Sequence, residues 1–66
     1  MNPTDLIISK MFRGAEADIE DSLTLFKKEK VDLKRLEKRY RETAKYDVSE
    51  KRVLKNLDIL LARLKR

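Results

Sequence analysis

The sequence predicts an all-α protein, an antiparallel bundle of three helices completed by homodimerisation. Three observations lead there. Gly and Pro occur once each, at Gly14 and Pro3, so the turn clusters that all-β folds need are missing. Apolar residues recur at helical spacing along most of the chain, and helix formers dominate between them. The length is 66 residues with no Cys and no His. A single domain this small has neither a disulfide nor the commonest metal ligands to supplement its core, which favours self-association. No internal repeat or low-complexity segment is present.

Helix 1 is expected over about 3–29. Asn2 can cap it, Pro3 suits the first helical position and Asp5 complements the positive end of the dipole. At 100° per residue, Ile8, Met11, Phe12, Ala15, Ile19, Leu23 and Phe26 share a face. Ile7 and Leu25 widen it to roughly 160°, which suits a helix packed against two neighbours. Gly14 lies off this arc and costs about 1 kcal/mol against Ala in a helix interior. It marks a kink or a close approach, or is tolerated.

Helix 2 is expected over about 33–45, with Asp32 as N-cap and Val31 and Leu36 as a hydrophobic staple. Its stripe is narrow: Leu33, Leu36, Tyr40 and Ala44. Helix 3 is expected over about 49–64. Asp47-Val48-Ser49-Glu50 reads as a capping box, or Ser49 caps with Val48 and Val53 as the staple. Val53, Leu54, Leu57, Leu60, Leu61 and Leu64 fill roughly 120° of it. A competing reading keeps one heptad phase from Leu33 to Leu64. It makes a helix-turn-helix hairpin with a long second helix, two copies of which form a four-helix coiled-coil bundle. Asp47 and Glu50 would then lie on the seam, at a cost unless paired. Ile8, Met11, Phe12, Ile19, Phe26, Leu57, Leu61 and Leu64 are the expected core or dimer contacts.

The net charge of +5 is unevenly spread. Residues 1–26 hold two basic and five acidic side chains, and residues 27–66 hold fifteen basic and seven acidic. Asp18, at the edge of the apolar arc, is either a solvated rim residue or a carboxylate paired across an interface. Lys34, Lys38, Arg41 and Lys45 fall within roughly 60° of helix 2, opposite Leu36. Such a ridge can neutralise phosphates or contact an acidic partner, or simply be a solvated face. Glu37 and Glu42 dilute it: Glu37 can pair with Arg41, and Glu42 with Lys38, Arg39 or Lys45. Tyr40 and Tyr46 read as core-edge residues whose hydroxyls reach water, while Leu6 and Ile59 fall off the core faces.

Specific chemistry finds little support. Without Cys there is no thiolate nucleophile, and without His the usual proton shuttle is missing. Ser9, Ser22 and Ser49 have no His to activate them. No Gly-rich phosphate loop is present. A helix-turn-helix lacks its short turn, and a basic-zipper layout leaves helix 1 unexplained. No catalytic residue, metal or cofactor is therefore expected, and the chain is expected not to be an enzyme. Apolar runs are too short to span a membrane, and the N-terminus lacks a secretory layout, so a soluble cytoplasmic location is expected. The reading is a small adaptor or regulator that contacts an unidentified protein partner and itself as a homodimer. The alternative is a DNA- or RNA-binding regulator using Lys34, Lys38, Arg41 and Lys45.

Overall fold

Helix 1 does not run through Gly14. In a computed structural model describing residues 2–65, the chain forms four helices: α1 (Pro3–Arg13), α2 (Glu16–Lys28), α3 (Leu33–Ala44) and α4 (Glu50–Leu64). No strand occurs among the described residues. The three-helix expectation is thereby corrected to four. Gly14 takes the left-handed conformation, φ 71°, and its N–H donates to Lys10 O at 3.1 Å. This closes α1 in the manner of a glycine C-cap. A Cβ there would also lie 2.4 Å from Asn56 Nδ2 of α4. The wide arc read for one helix is thus the sum of two shorter faces, Ile7, Ile8 and Met11 on α1 and Ile19 on α2.

The remaining boundaries have local causes. Asn2 Oδ1 accepts from Asp5 N at 2.8 Å and starts α1. At the end of α2, Glu29 N donates to Leu25 O and Val31 N to Phe26 O. Between them Lys30 adopts φ 51°. That is a Schellman turn with a lysine at the position where glycine is usual. Asp32 Oδ1 then accepts from Lys34 N and Arg35 N and caps α3.

The long second helix is also corrected. After Ala44 the chain turns: Tyr46 N donates to Thr43 O at 3.1 Å and Asp47 N to Ala44 O at 3.0 Å. Asp47 Oδ1 accepts from Ser49 N at 2.7 Å. Asp47 therefore stabilises the turn instead of capping α4, whose N-cap is Ser49 without a side-chain bond. An unbroken helix would have laid Asp47 on an apolar seam, and the turn gives its carboxylate a backbone donor instead.

The core holds Ile7, Ile8, Met11, Ile19, Leu36, Tyr40, Ala44, Val53, Leu57 and Leu60. Of the expected contacts, Ile8, Met11, Ile19 and Leu57 lie in it, while Phe12, Phe26, Leu61 and Leu64 pack half-buried against it. Ile59 also packs on the core, and Leu6 is half-buried. Tyr40 is no core-edge residue: it is fully buried, and its hydroxyl donates to Val53 O. Its ring meets Phe12 edge-on, with centroids 5.1 Å apart. Burial pushes the Tyr40 hydroxyl well above the usual tyrosine range. The radius of gyration is 10.6 Å, against roughly 11 Å expected for a self-contained domain of this length. One chain by itself buries these ten core residues. No described helix is long and apolar enough to cross a membrane.

Candidate functional site

Folding sorts the charges. All five acids of residues 1–26 are ion-paired. Asp5 accepts from Arg39 Nε at 2.5 Å, Asp18 from Arg13 at 2.8 Å and Asp21 from Lys10 at 3.5 Å. Glu16 and Glu20 both face Arg63, at 2.8 and 3.6 Å. The Arg63 guanidinium holds the Glu16 carboxyl below its usual range, and Glu16 in turn raises Arg63. Asp18 is 8% exposed. It is neither a solvated rim residue nor an interface carboxylate, because its partner Arg13 sits across the α1–α2 break of the same chain.

Among the described residues, cations outside any ion pair lie on and before α3 and also on α4, at Lys51, Arg52 and Lys55. Residues 27–45 carry nine basic and four acidic side chains. Among the described residues, Arg39 is the only one of these nine in an ion pair within 4.0 Å. The helical pairs expected of Glu37 and Glu42 with Arg41 and Lys38 are not formed. Lys34, Lys38, Arg41 and Lys45 are all exposed along the outer face of α3.

A second line of residues sits roughly 100° around α3, on the side of the α1 N-terminus. Three adjoining concavities mark it. One of about 330 Å³ lies between Asn2–Thr4, the turn at Glu29–Asp32, Arg35 and Arg39. A second, about 230 Å³, is lined by Arg35, Lys38, Arg39 and Glu42. The third, about 280 Å³, is lined by Arg39, Glu42, Thr43 and Tyr46. Arg39 borders all three, so they form one shallow groove from Lys30 to Tyr46. Of the four ridge residues only Lys38 reaches it. Lys34, Arg41 and Lys45 stay on the outer face.

Sequence reasoning missed Arg35, Arg39 and Tyr46 as site residues. Arg35, Arg39 and Thr43 share the four-residue spacing of the ridge, one step around the helix. That signal was present, but only the start of α1 packing alongside turns the line into a groove. Tyr46 was read as half-buried and is 92% exposed instead; neighbouring Val48 is fully exposed.

The arrangement is built to hold anions. Arg side chains can grip phosphate oxygens with two donors at once, and Lys supplies point charge. No set of three or more Asp or Glu side chains that could hold a metal ion occurs among the described residues. Ser22, a hydroxyl considered as a nucleophile, is fully buried on α2 with no hydrogen-bond partner.

Searches among curated proteins and among solved structures gave no significant match. A family model, described as nucleotidyltransferase of unknown function (DUF6036), matches residues 1–66, the whole chain. The chain belongs to that family.

Proposed function

We propose that this chain is a nucleic-acid-binding helical unit of its nucleotidyltransferase family. It works by contact through the basic face of α3, and its own side chains carry no transfer chemistry. The observation behind this reading is the sorting of charge: the acids of residues 1–26 are consumed in ion pairs, while among the described residues eight of the nine cations of residues 27–45 have no such partner and outnumber the four acids there. Unpaired cations on one face are the electrostatic footprint of phosphate binding. The family description names nucleotide transfer, with which a nucleotide-bearing ligand is compatible. A cytoplasmic location, where nucleic acid is accessible, goes with this reading.

The adaptor role is less well supported. A standard protein interface buries about 800 Å² per partner around an apolar centre. Among the described residues, only Tyr46 and Val48 are large apolar residues standing fully in solvent.

The test is titration of fluorescently labelled RNA and DNA with the wild-type chain and with a variant carrying Lys34→Ala, Lys38→Ala, Arg41→Ala and Lys45→Ala. All four side chains are exposed, so circular dichroism should be unchanged. Binding weakened at least about tenfold in the variant is expected, the scale for losing several phosphate contacts. Failure of the wild type to bind at low salt, or equal binding by the variant, contradicts the proposal.

A further inference from the structure

Building on the proposed nucleic-acid binding, we infer that the groove along α3 takes a single strand, with an unpaired, amino-bearing base stacked on Tyr46. The groove has two chemically different ends. Toward the start of α3 it is lined by Lys30, Arg35 and Arg39 together with Glu29 and with Asp32, whose carboxylate is used in capping α3, and Lys38 lies at its middle. Toward the end of α3 its lining changes to Glu42, Thr43 and Tyr46. From Arg35 to Tyr46 is roughly 16 Å along the helix direction, long enough for a short run of nucleotides.

Tyr46 is placed by backbone bonds, not by packing. Its N–H donates to Thr43 O, and the next N–H, of Asp47, to Ala44 O. The ring stands 92% exposed although burying an aromatic side chain would have been favourable. An exposed aromatic beside a groove that carries Lys30, Arg35 and Lys38 is an arrangement on which unpaired bases stack. A duplex keeps its bases stacked on each other and gains nothing from such a ring.

Glu42 refines the reading. Its carboxylate would repel a phosphate, so the phosphates inside the groove belong at Arg35 and Lys38, while Lys34, Arg41 and Lys45 add attraction from the outer face and Arg39 is held by Asp5. Beside Tyr46, Glu42 can accept from an exocyclic amine, as carboxylates do from cytosine N4. The Thr43 hydroxyl donates to Arg39 O at 2.8 Å and keeps lone pairs to accept with, while Glu42 supplies the charged acceptor at this end. Cytosine, adenine and guanine carry such an amine, and thymine and uracil do not, so this end favours the amino-bearing bases.

The experiment uses the full chain, an oligo-dC and an oligo-dT eight nucleotides long, and a mixed-sequence DNA duplex. The chain has no Trp, so Tyr46→Trp provides a single reporter whose emission should be quenched by oligo-dC. Tyr46→Ala should weaken oligo-dC binding about tenfold, within the range for loss of one stacked base, and leave the duplex unchanged. Tyr46→Phe should stay within about twofold of wild type, since the ring is kept. Glu42→Gln should narrow the preference for oligo-dC over oligo-dT. Val48→Ser, on the same turn but outside the groove, should have no effect. If oligo-dC binds equally well to wild type and Tyr46→Ala, or if Val48→Ser costs as much as Tyr46→Ala, the inference is overturned while phosphate binding by α3 stands. If neither single strand nor duplex binds at low salt, the underlying proposal falls as well.

Discussion

Asn56 Nδ2 donates a 2.9 Å hydrogen bond to Met11 O, 45 residues earlier in the chain, and its amide covers Gly14. The bond satisfies one of the carbonyls that the end of α1 leaves unpaired. Gly14 is the residue that lets the two helices come this close. Gly14→Ala should destabilise the fold by about 2 kcal/mol, combining the left-handed penalty for a Cβ with displacement of Asn56. Asn56→Ala should cost about 1–3 kcal/mol by leaving a half-buried carbonyl unpaired. The double variant should cost less than the two single costs together, because both act on one contact. Urea denaturation of the four proteins measures this, and strict additivity would show that the sites are not linked.

Lys30 carries the opposite prediction. Its φ of 51° is one that glycine adopts without a steric penalty. Lys30→Gly should raise stability by about 0.5–1 kcal/mol, the left-handed strain less the entropy glycine loses on folding. A lower thermal midpoint would refute this account of the turn.

Ser22 is fully buried, and its hydroxyl has no partner. Ser22→Ala removes the unsatisfied group and improves helix propensity, so it should stabilise by about 1 kcal/mol. Destabilisation on thermal melting would mean that the hydroxyl does form a bond in solution.

Stability should fall at both ends of the pH range. The Glu16 carboxyl, held below its usual 4.5 by Arg63, contributes above its unfolded value and loses that contribution as the pH drops through its lowered folded value. The Tyr40 hydroxyl is raised by burial above its usual 10. Its contribution is complete below pH 10 and is lost as the pH climbs past that value, because the unfolded chain releases the proton first. Tyr40→Phe removes the alkaline component but also strands Val53 O, so it should lower stability at neutral pH by about 1 kcal/mol. Denaturant midpoints across pH give both limbs; a midpoint that does not fall above pH 10 would contradict the buried setting of Tyr40.

Asp5 holds the guanidinium that borders every part of the groove. Asp5→Asn should free Arg39 for phosphate and tighten oligonucleotide binding about two- to fivefold, with little change in stability because the pair is largely exposed. Weaker binding by this variant would mean that the ion pair positions Arg39 for its ligand.

Much of this was legible from local chemistry. Asn2, Asp32 and Pro3 mark helix starts through bonds made within three residues, and Lys34, Lys38, Arg41 and Lys45 share one helical period. What escaped depends on distant partners. Gly14 could be seen to break the pattern, yet its role as a cap rests on Asn56, far along the chain. Tyr40 became core because Phe12 and Val53 close over it. Tyr46 lies just beyond the last turn of α3, where helical periodicity no longer says which way a side chain faces. Arg35 and Arg39 line a groove only because the start of α1 packs beside them.

The central claim is that α3 grips phosphates, and the salt dependence of binding tests it most directly. Anisotropy of a labelled single-stranded RNA should be followed between about 50 and 200 mM salt, where contact with three or four phosphates gives a log–log slope of about −2 to −3 and a loss of roughly 15- to 60-fold in affinity. A straight line with that slope, flattened in the variant lacking the four ridge cations, is the expected result. No binding at the low-salt end, or an affinity indifferent to salt, would contradict it.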